Sequence, residues 1–244
     1  MLLAIDVGNT RIKAAVYEGN NTIDFFVIEK ESFEKKVSEI LNTFPKVNDL
    51  WSSSVGNELD FGFLASVKDI NIKVVTHLTS FPFQNLYETP HTLGVDRMVL
   101  AAGATLLFPN QNRLVIDVGT CITYDFIDTQ DNYLGGAISP GFRLRYQSLH
   151  QFTAKLPQLS LKEIDFFIGK STNQSIHSGV INGIVYEIEG FINQYAKENE
   201  NFTIILTGGD AVFLAKRLKN TIFANSNFLL DSLNQLFQFS NKND

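Results

Sequence analysis

The sequence predicts an α/β protein made of two copies of one unit, each a mixed sheet flanked by helices. Three observations carry that expectation. The stretch Ile5-Asp6-Val7-Gly8-Asn9-Thr10-Arg11-Ile12-Lys13 reads as strand, polar turn, strand, and the pattern returns at Ile116-Asp117-Val118-Gly119-Thr120-Cys121-Ile122. Asp6 matches Asp117, Gly8 matches Gly119, and a small hydroxyl follows in both, which marks an internal duplication. Apolar runs of strand length are interleaved with segments of helical period. The chain is also long enough, at 244 residues with 44% hydrophobic and 12% aromatic residues, to bury two cores. The expected division is 1–108 and 109–244.

Leu2 to Ile5 is an apolar run suited to a buried strand, and Ile12 to Tyr17 is the return strand. Thr22 to Ile28 reads as a third strand. Phe33, Val37, Ile40, Leu41 and Phe44 recur at helical spacing behind Ser32 as a cap, and Pro45 stops them. Asp49 to Val55 is a strand, Leu59 to Val67 a short helix, and Ile72 to Thr76 another strand. Phe81 to Thr92 has two prolines and no period, so it is a loop, and it carries Tyr87 and His91. Gly94-Val95-Asp96-Arg97 leads into an alanine-rich helix ending at Leu107.

The second copy starts with a strand from Arg113 to Asp117, and its hairpin continues to Ile138. Gly135-Gly136 and Ser139-Pro140-Gly141 make a turn-rich stretch where backbone can approach a ligand. Phe142 to His150 is helical, Leu156 to Phe167 a loop, and residues 178–199 form the best helix of the sequence. Gly179, Gly183 and Gly190 interrupt that helix at a cost of roughly 1 kcal/mol each against Ala, for which close packing would account. Phe202 to Leu206 is a strand, Thr207-Gly208-Gly209-Asp210 turns into a helix through Leu218, and Phe228 to Phe239 closes the fold. Asn241 to Asp244 is expected to fray.

Composition removes several function classes. The net charge of −6, with no Lys/Arg-rich run, argues against a nucleic-acid surface. No apolar segment approaches the roughly 18–20 residues of a membrane span. The N-terminus has no basic n-region and its apolar run stops at Asp6, so no signal peptide is visible. One cysteine suits a reducing cytoplasm, and Cys121, inside an expected strand, reads as a small buried hydrophobe. The four histidines lack metal-ligand spacing. Gly169-Lys170-Ser171-Thr172 looks like the tail of a phosphate loop, but the upstream glycine is missing, which rules out a Walker-type site.

What remains points to a polyphosphate. A tight polar turn aims backbone N–H groups and hydroxyls outward, its Asp can hold a cation, and Lys13 adds a point charge. Two facing turns would clamp both ends of a phosphate chain. The entry at residues 94–97 offers an acid, a guanidinium and N–H donors, a seat for an anionic substrate. Read alone, Asp96 also fits a plain role, complementing the helix macrodipole. Residues 207–210 fit either a flat ligand against backbone or a plain tight turn.

Taken in order, these motifs, with Leu156-Pro157 and residues 135–141, resemble those of type III pantothenate kinases across essentially the whole chain. That family belongs with acetate and sugar kinases, heat-shock 70 proteins and actin. The resemblance implies two duplicated ribonuclease-H-like (actin-like ATPase) domains that phosphorylate pantothenate with ATP, starting coenzyme A synthesis. It implies that Asp6, Val7, Gly8, Asn9, Thr10, Arg11, Ile12 and Lys13 bind ATP, with Asp6 near magnesium, and that Thr120 contacts ATP. Asp117 would hold a monovalent cation, K+ or NH4+. Tyr87, Gly94, Val95, Asp96, Arg97 and Thr172 would bind pantothenate, with Asp96, kept ionised by the helix N-terminus, accepting the hydroxyl proton. A homodimer is also implied, completing the substrate site, with the helices at 93–107 and 178–199 as candidate interface elements. Cys121 and the absence of a glycine in Phe228 to Leu233 depart from the family pattern. The rivals are another small-molecule kinase of the superfamily and a nucleotide-binding accessory protein. The main reading expects Asp6 and Asp117 to line one crevice onto which Asp96 opens.

Overall fold

The computed structural model describes residues 1–8, 11–54, 60–67, 69–199, 202–220 and 222–243. In chain order the elements are β1 (Leu2–Val7), β2 (Ile12–Glu18), β3 (Asn21–Ile28), α1 (Phe33–Thr43), β4 (Asp49–Ser54), β5 (Asn71–Val74), β6 (Gln84–Asn85) and α2 (Val95–Leu107). They continue with β7 (Asn112–Val118), β8 (Cys121–Ile127), β9 (Asn132–Pro140), α3 (Phe142–Gln151), α4 (Thr172–Glu198), β10 (Phe202–Thr207), α5 (Ala211–Ala215), β11 (Phe223–Ala224) and α6 (Phe228–Asn243). The chain divides into two compact units. The first takes Met1–Pro109, Gln130–Tyr133 and Asn227–Asp244, and the second takes Asn110–Thr129 and Leu134–Ser226.

The duplication is visible in the topology. The first sheet runs β3-β2-β1-β4-β5, and the second contains β9-β8-β7-β10-β11, the same order strand for strand. In each, the leading strand is antiparallel to its hairpin partner and parallel to the strand on its other side. In the first unit, β6 pairs with Asn132 and Tyr133, the opening residues of β9.

The first sheet is covered on both faces, which is why β1 opens with four apolar residues in succession, Leu2 to Ile5. Leu3, Ile5 and Val7 point to the side packed by Phe33, Val37, Ile40 and Leu41 of α1. Leu2 and Ala4 point to the other side, against Trp51, Val99, Ala102, Leu230, Leu233 and Leu236. There α2 and α6 lie so close that a Cβ on Gly103 would sit 1.9 Å from the Ser232 hydroxyl and 2.9 Å from its Cα. In the second unit α4 lays Val180, Ile181, Ile184, Ile188 and Ile192 on Leu114, Ile116, Val118 and the apolar residues of β8. The Tyr124 and Phe191 rings stack at 4.2 Å.

Several elements differ from the sequence expectation. Residues 227–244 join the first unit rather than the second, because the apolar stripe of α6 covers β1 and α2. Helix α4 starts at Thr172, not 178, because Ser171 caps it: its hydroxyl accepts the Gln174 N–H at 3.3 Å, and the Gln174 side chain accepts from Lys170 N–H at 2.7 Å. The stretch that resembled a phosphate loop is therefore a helix cap. Ser139 and Pro140 end β9 instead of forming a turn. Gly136 lies inside β9, where a Cβ would fall 1.5 Å from the Tyr124 carbonyl, so the approach there is strand to strand. The helix after Asp210 ends at Ala215, the one expected near residue 60 is a 3-10 turn at Gly62–Ser66, and α6 is helical to Asn243. Ser32 makes no side-chain cap. Cys121, the first residue of β8, is exposed rather than buried.

Candidate active site

Asp6 lies one residue from the end of β1, in register with Lys13 on β2 and Ser53 on β4. Burial raises its carboxyl to about 7. Lys13 and the Ser53 hydroxyl oppose that rise, and the nearby charge of Asp96 adds to it. The turn is closed by the Gly8 N–H donating to the Arg11 carbonyl at 3.2 Å. Val7 and Ile12 point into the core, so their part in any ligand site is backbone only. Arg11 is exposed. Asn9 and Thr10 lie outside the described residues.

The acceptor-side motif begins α2. Gly94 is the N-cap residue, and a Cβ there would lie 2.4 Å from Asp96 Oδ1, so the bare glycine leaves space for that carboxylate. Asp96 Oδ1 accepts the Arg97 N–H at 2.9 Å. Burial nevertheless raises the Asp96 carboxyl, outweighing the N–H and charge of Arg97. The helix N-terminus does not keep it as acidic as expected. Arg97 is 6% exposed, and its guanidinium lies 5.8 Å from the Tyr87 ring, a cation–π distance. Tyr87 is in turn placed by its N–H on the Asn85 side chain at 3.0 Å and by the Tyr133 ring at 6.2 Å.

Two neighbours had no sequence signal of their own. Ser53 is an ordinary strand serine until register sets it beside Asp6. His77 Nε2 lies 2.8 Å from the Leu93 carbonyl, so it donates there and holds the residue before Gly94.

In the second unit, Asp117 occupies the place of Asp6, in register with Thr123 and Thr207. The Gly119 N–H donates to the Cys121 carbonyl at 2.9 Å. Gly208 has φ +97°, and a Cβ there would lie 2.4 Å from both Asp117 Oδ1 and the Val118 carbonyl. The Asp210 N–H donates to that carbonyl at 3.1 Å. Residues 207–210 are thus a tight strand–helix turn pressed on Asp117, and burial raises the Asp210 carboxyl. Thr120 offers its carbonyl to the Gly141 N–H at 3.0 Å. Thr172, at the start of α4, borders a cavity of about 710 Å³ with Ser148, Leu149, Leu156, Ile176 and Val180.

The first unit thus brings together Asp6, Lys13, Ser53 and Asp96, with Arg97 and Tyr87 alongside Asp96. Asp117, Thr120 and Thr172 belong to the second. Among the described residues no group of three or more acids, histidines or cysteines forms a metal cage, and no helix is long and apolar enough to cross a membrane.

Comparison with known proteins agrees with the motifs. A family model described as type III pantothenate kinase matches residues 2–194. A protein of Flavobacterium johnsoniae named type III pantothenate kinase is 62% identical over 244 residues, covering 100% of both chains. Its namesake in Flavobacterium psychrophilum is 55% identical, covering 98% of this chain and 99% of the relative, and that of Cytophaga hutchinsonii is 39% identical, covering 98% and 100%. Among solved structures, a putative Baf family transcriptional activator from Campylobacter jejuni superposes with a TM-score of 0.62 at 20% identity, covering 98% of this chain and 99% of that one. A putative N-acetylmannosamine kinase from Listeria monocytogenes gives 0.56 at 13%, with the same coverage. At these identities the structures show the fold alone: duplicated α/β of the actin-like ATPase kind, with mixed sheets flanked by helices.

Proposed function

Since this chain belongs to the type III pantothenate kinase family, we propose how its own residues carry out the ATP-dependent phosphorylation of pantothenate to 4'-phosphopantothenate, the first step of coenzyme A biosynthesis. Transfer of a phosphoryl group spreads negative charge over its oxygens, so positioning and cations supply most of the catalysis. Residues 6–13 bind ATP through backbone N–H groups and Lys13, and Thr120 also contacts ATP. Asp96 takes the proton from the primary hydroxyl of pantothenate. Its raised affinity for a proton suits that role, because a base works best with a pKa near the operating pH. Arg97, planar and held by Tyr87, anchors the substrate carboxylate as a fork.

Cations fit this donor set. Asp6 is a buried carboxylate raised chiefly by burial and further by the charge of Asp96, and Lys13 and the Ser53 hydroxyl offset that only in part. Magnesium is commonly held by one or two carboxylates, with phosphates and waters completing its shell, so the lack of a protein cage among the described residues matches it. Asp6 would hold Mg2+, which when bound neutralises charge on the phosphate oxygens. Asp117, beside the Val118 carbonyl, offers the hard oxygens a monovalent cation, K+ or NH4+, takes.

We also propose a homodimer. A Cβ on Gly179, Gly183 or Gly190 would meet nothing within 4 Å, and Tyr186 on the same helix is 57% exposed, so packing within the chain does not account for these glycines. A second copy lying on α4 would. Helix α2 is buried by its own unit and offers no such face. The cytoplasm, where an exposed thiol stays reduced, is the proposed location.

The observation that carries the functional reading is the start of α2, where Gly94 leaves room for the Asp96 carboxylate and Arg97 is buried beside Tyr87. ATP consumption measured with and without pantothenate, and with and without potassium, tests it. Consumption that needs both supports the enzyme as described, and consumption indifferent to pantothenate overturns it.

A further inference from the structure

Glu187 lies in the middle of α4, and none of the roles above uses it. Its carboxylate collects donors from three other elements: the Tyr124 hydroxyl of β8 at 2.9 Å, the Ser139 hydroxyl of β9, and the Arg145 guanidinium of α3 at 2.5 Å. A carboxylate satisfied this way is a rigid hub. Arg145 then turns a different nitrogen toward the chain, and its Nε donates to the Pro140 carbonyl at 2.8 Å. The next residue, Gly141, donates its N–H to the Thr120 carbonyl at 3.0 Å, and a Cβ at 141 would lie 2.2 Å from the Gly119 carbonyl oxygen. Three successive residues are thus pinned: Ser139 by Glu187, Pro140 by Arg145, and Gly141 by the 119–120 turn itself.

We propose that Glu187 and Arg145 are positioning residues for nucleotide binding. They press residues 139–141 onto the Gly119-Thr120 turn and so set the backbone geometry with which Thr120 meets ATP. The inference rests on the reading that Thr120 contacts ATP. A plain ion pair between α3 and α4 would require only the two charges. The pinning requires the guanidinium fork, because two differently directed nitrogens serve Glu187 and Pro140 at once.

The test is the dissociation constant of Mg-ATP by calorimetry, with KM for both substrates, on the full chain and on Glu187→Gln, Arg145→Lys and Tyr124→Phe. Misplacing the turn should raise the ATP dissociation constant and KM roughly ten- to hundredfold in Glu187→Gln and Arg145→Lys. Tyr124→Phe removes one donor and leaves the link to Pro140, so its effect should stay within about threefold of wild type. Arg145 also borders the cavity beside Thr172, so substrate selectivity is judged on Glu187→Gln, whose pantothenate KM should stay unchanged. A folded Arg145→Lys protein that binds Mg-ATP like wild type overturns the proposal. So does a Glu187→Gln protein whose two KM values rise together as its melting temperature falls. If Arg145→Lys does not fold, Glu187→Gln alone decides. A wild type that binds ATP without phosphorylating pantothenate would sink the activity, and the binding comparison would still judge the positioning role.

Discussion

A buried carboxylate next to a second charge is a costly arrangement, which a cation, a hydrogen bond or a bound proton must offset. Asp6 and Asp96 form such a pair, and the substitutions that separate their roles are conservative ones. Asp96→Asn keeps shape and hydrogen bonding but cannot accept a proton, so it should bind ATP normally and lose turnover by roughly 10²–10⁴-fold. Near-normal turnover in a phosphate-release assay would exclude it as the base. Arg97→Lys replaces a fork with a point charge, and its pantothenate KM should rise about tenfold. An unchanged KM would show that Arg97 only packs on Tyr87. At this scale Asp6, Lys13, Asp96 and Arg97 were legible as candidates, because each stands near a glycine at the edge of an apolar run. Burial was not legible. Nothing local in the sequence says that Asp96 is desolvated beyond what its helix N-terminus offsets, or that Cys121 faces out from the first position of its strand.

Packed elements meet at closest approach where one of them has given up a side chain. Gly103 lets α2 and α6 touch, with the Ser232 backbone 2.9 Å from where a Cβ would be. Gly103→Ala should therefore lower unfolding stability by about 1–3 kcal/mol in a denaturant titration despite its gain in helix propensity. A stabilised variant would mean the helices separate freely. The other element-scale prediction concerns pH. Burial alone would raise the Glu187 carboxyl, but the bonds from Arg145, Ser139 and Tyr124 together hold it below its ordinary value. A carboxylate lowered in the folded state stabilises above its unfolded pKa of about 4.3, and that contribution is lost as pH falls through the folded value. Wild type should thus exceed Glu187→Gln in stability at pH 6 by about 1 kcal/mol or less after solvent screening, and the gap should close toward pH 3. A gap that widens in acid would reverse the assignment. Helices α1, α2 and α6 were readable from their period. The cap at Ser171 was missed: the absent upstream glycine excluded a phosphate loop, but only the hydrogen bonds show that the stretch starts α4.

Across the whole chain, two sheets that share one five-strand order, the second with β6 added at its edge, confirm what the repeated Asp-x-Gly turns announced. That repeat was legible because each copy must rebuild the same turn chemistry. Which sheet the last helix covers was not legible, since the stripe of Leu230, Leu233 and Leu236 would suit either. The open glycines of α4 lead to a prediction at this scale: light scattering should give twice the mass of one chain, and Gly183→Leu should halve it while leaving the circular dichroism spectrum intact. A monomeric wild type would refute the pairing.

The placement of α6 has a consequence for synthesis. Nearly all of the second unit is contiguous within residues 110–226, whereas the first is closed by residues 227–244. The first unit, although encoded earlier, therefore cannot close its second face until residues 227–244 have been made. Until then Trp51 and Val99 stay uncovered, which makes that interval the one where a nascent chain most needs a chaperone.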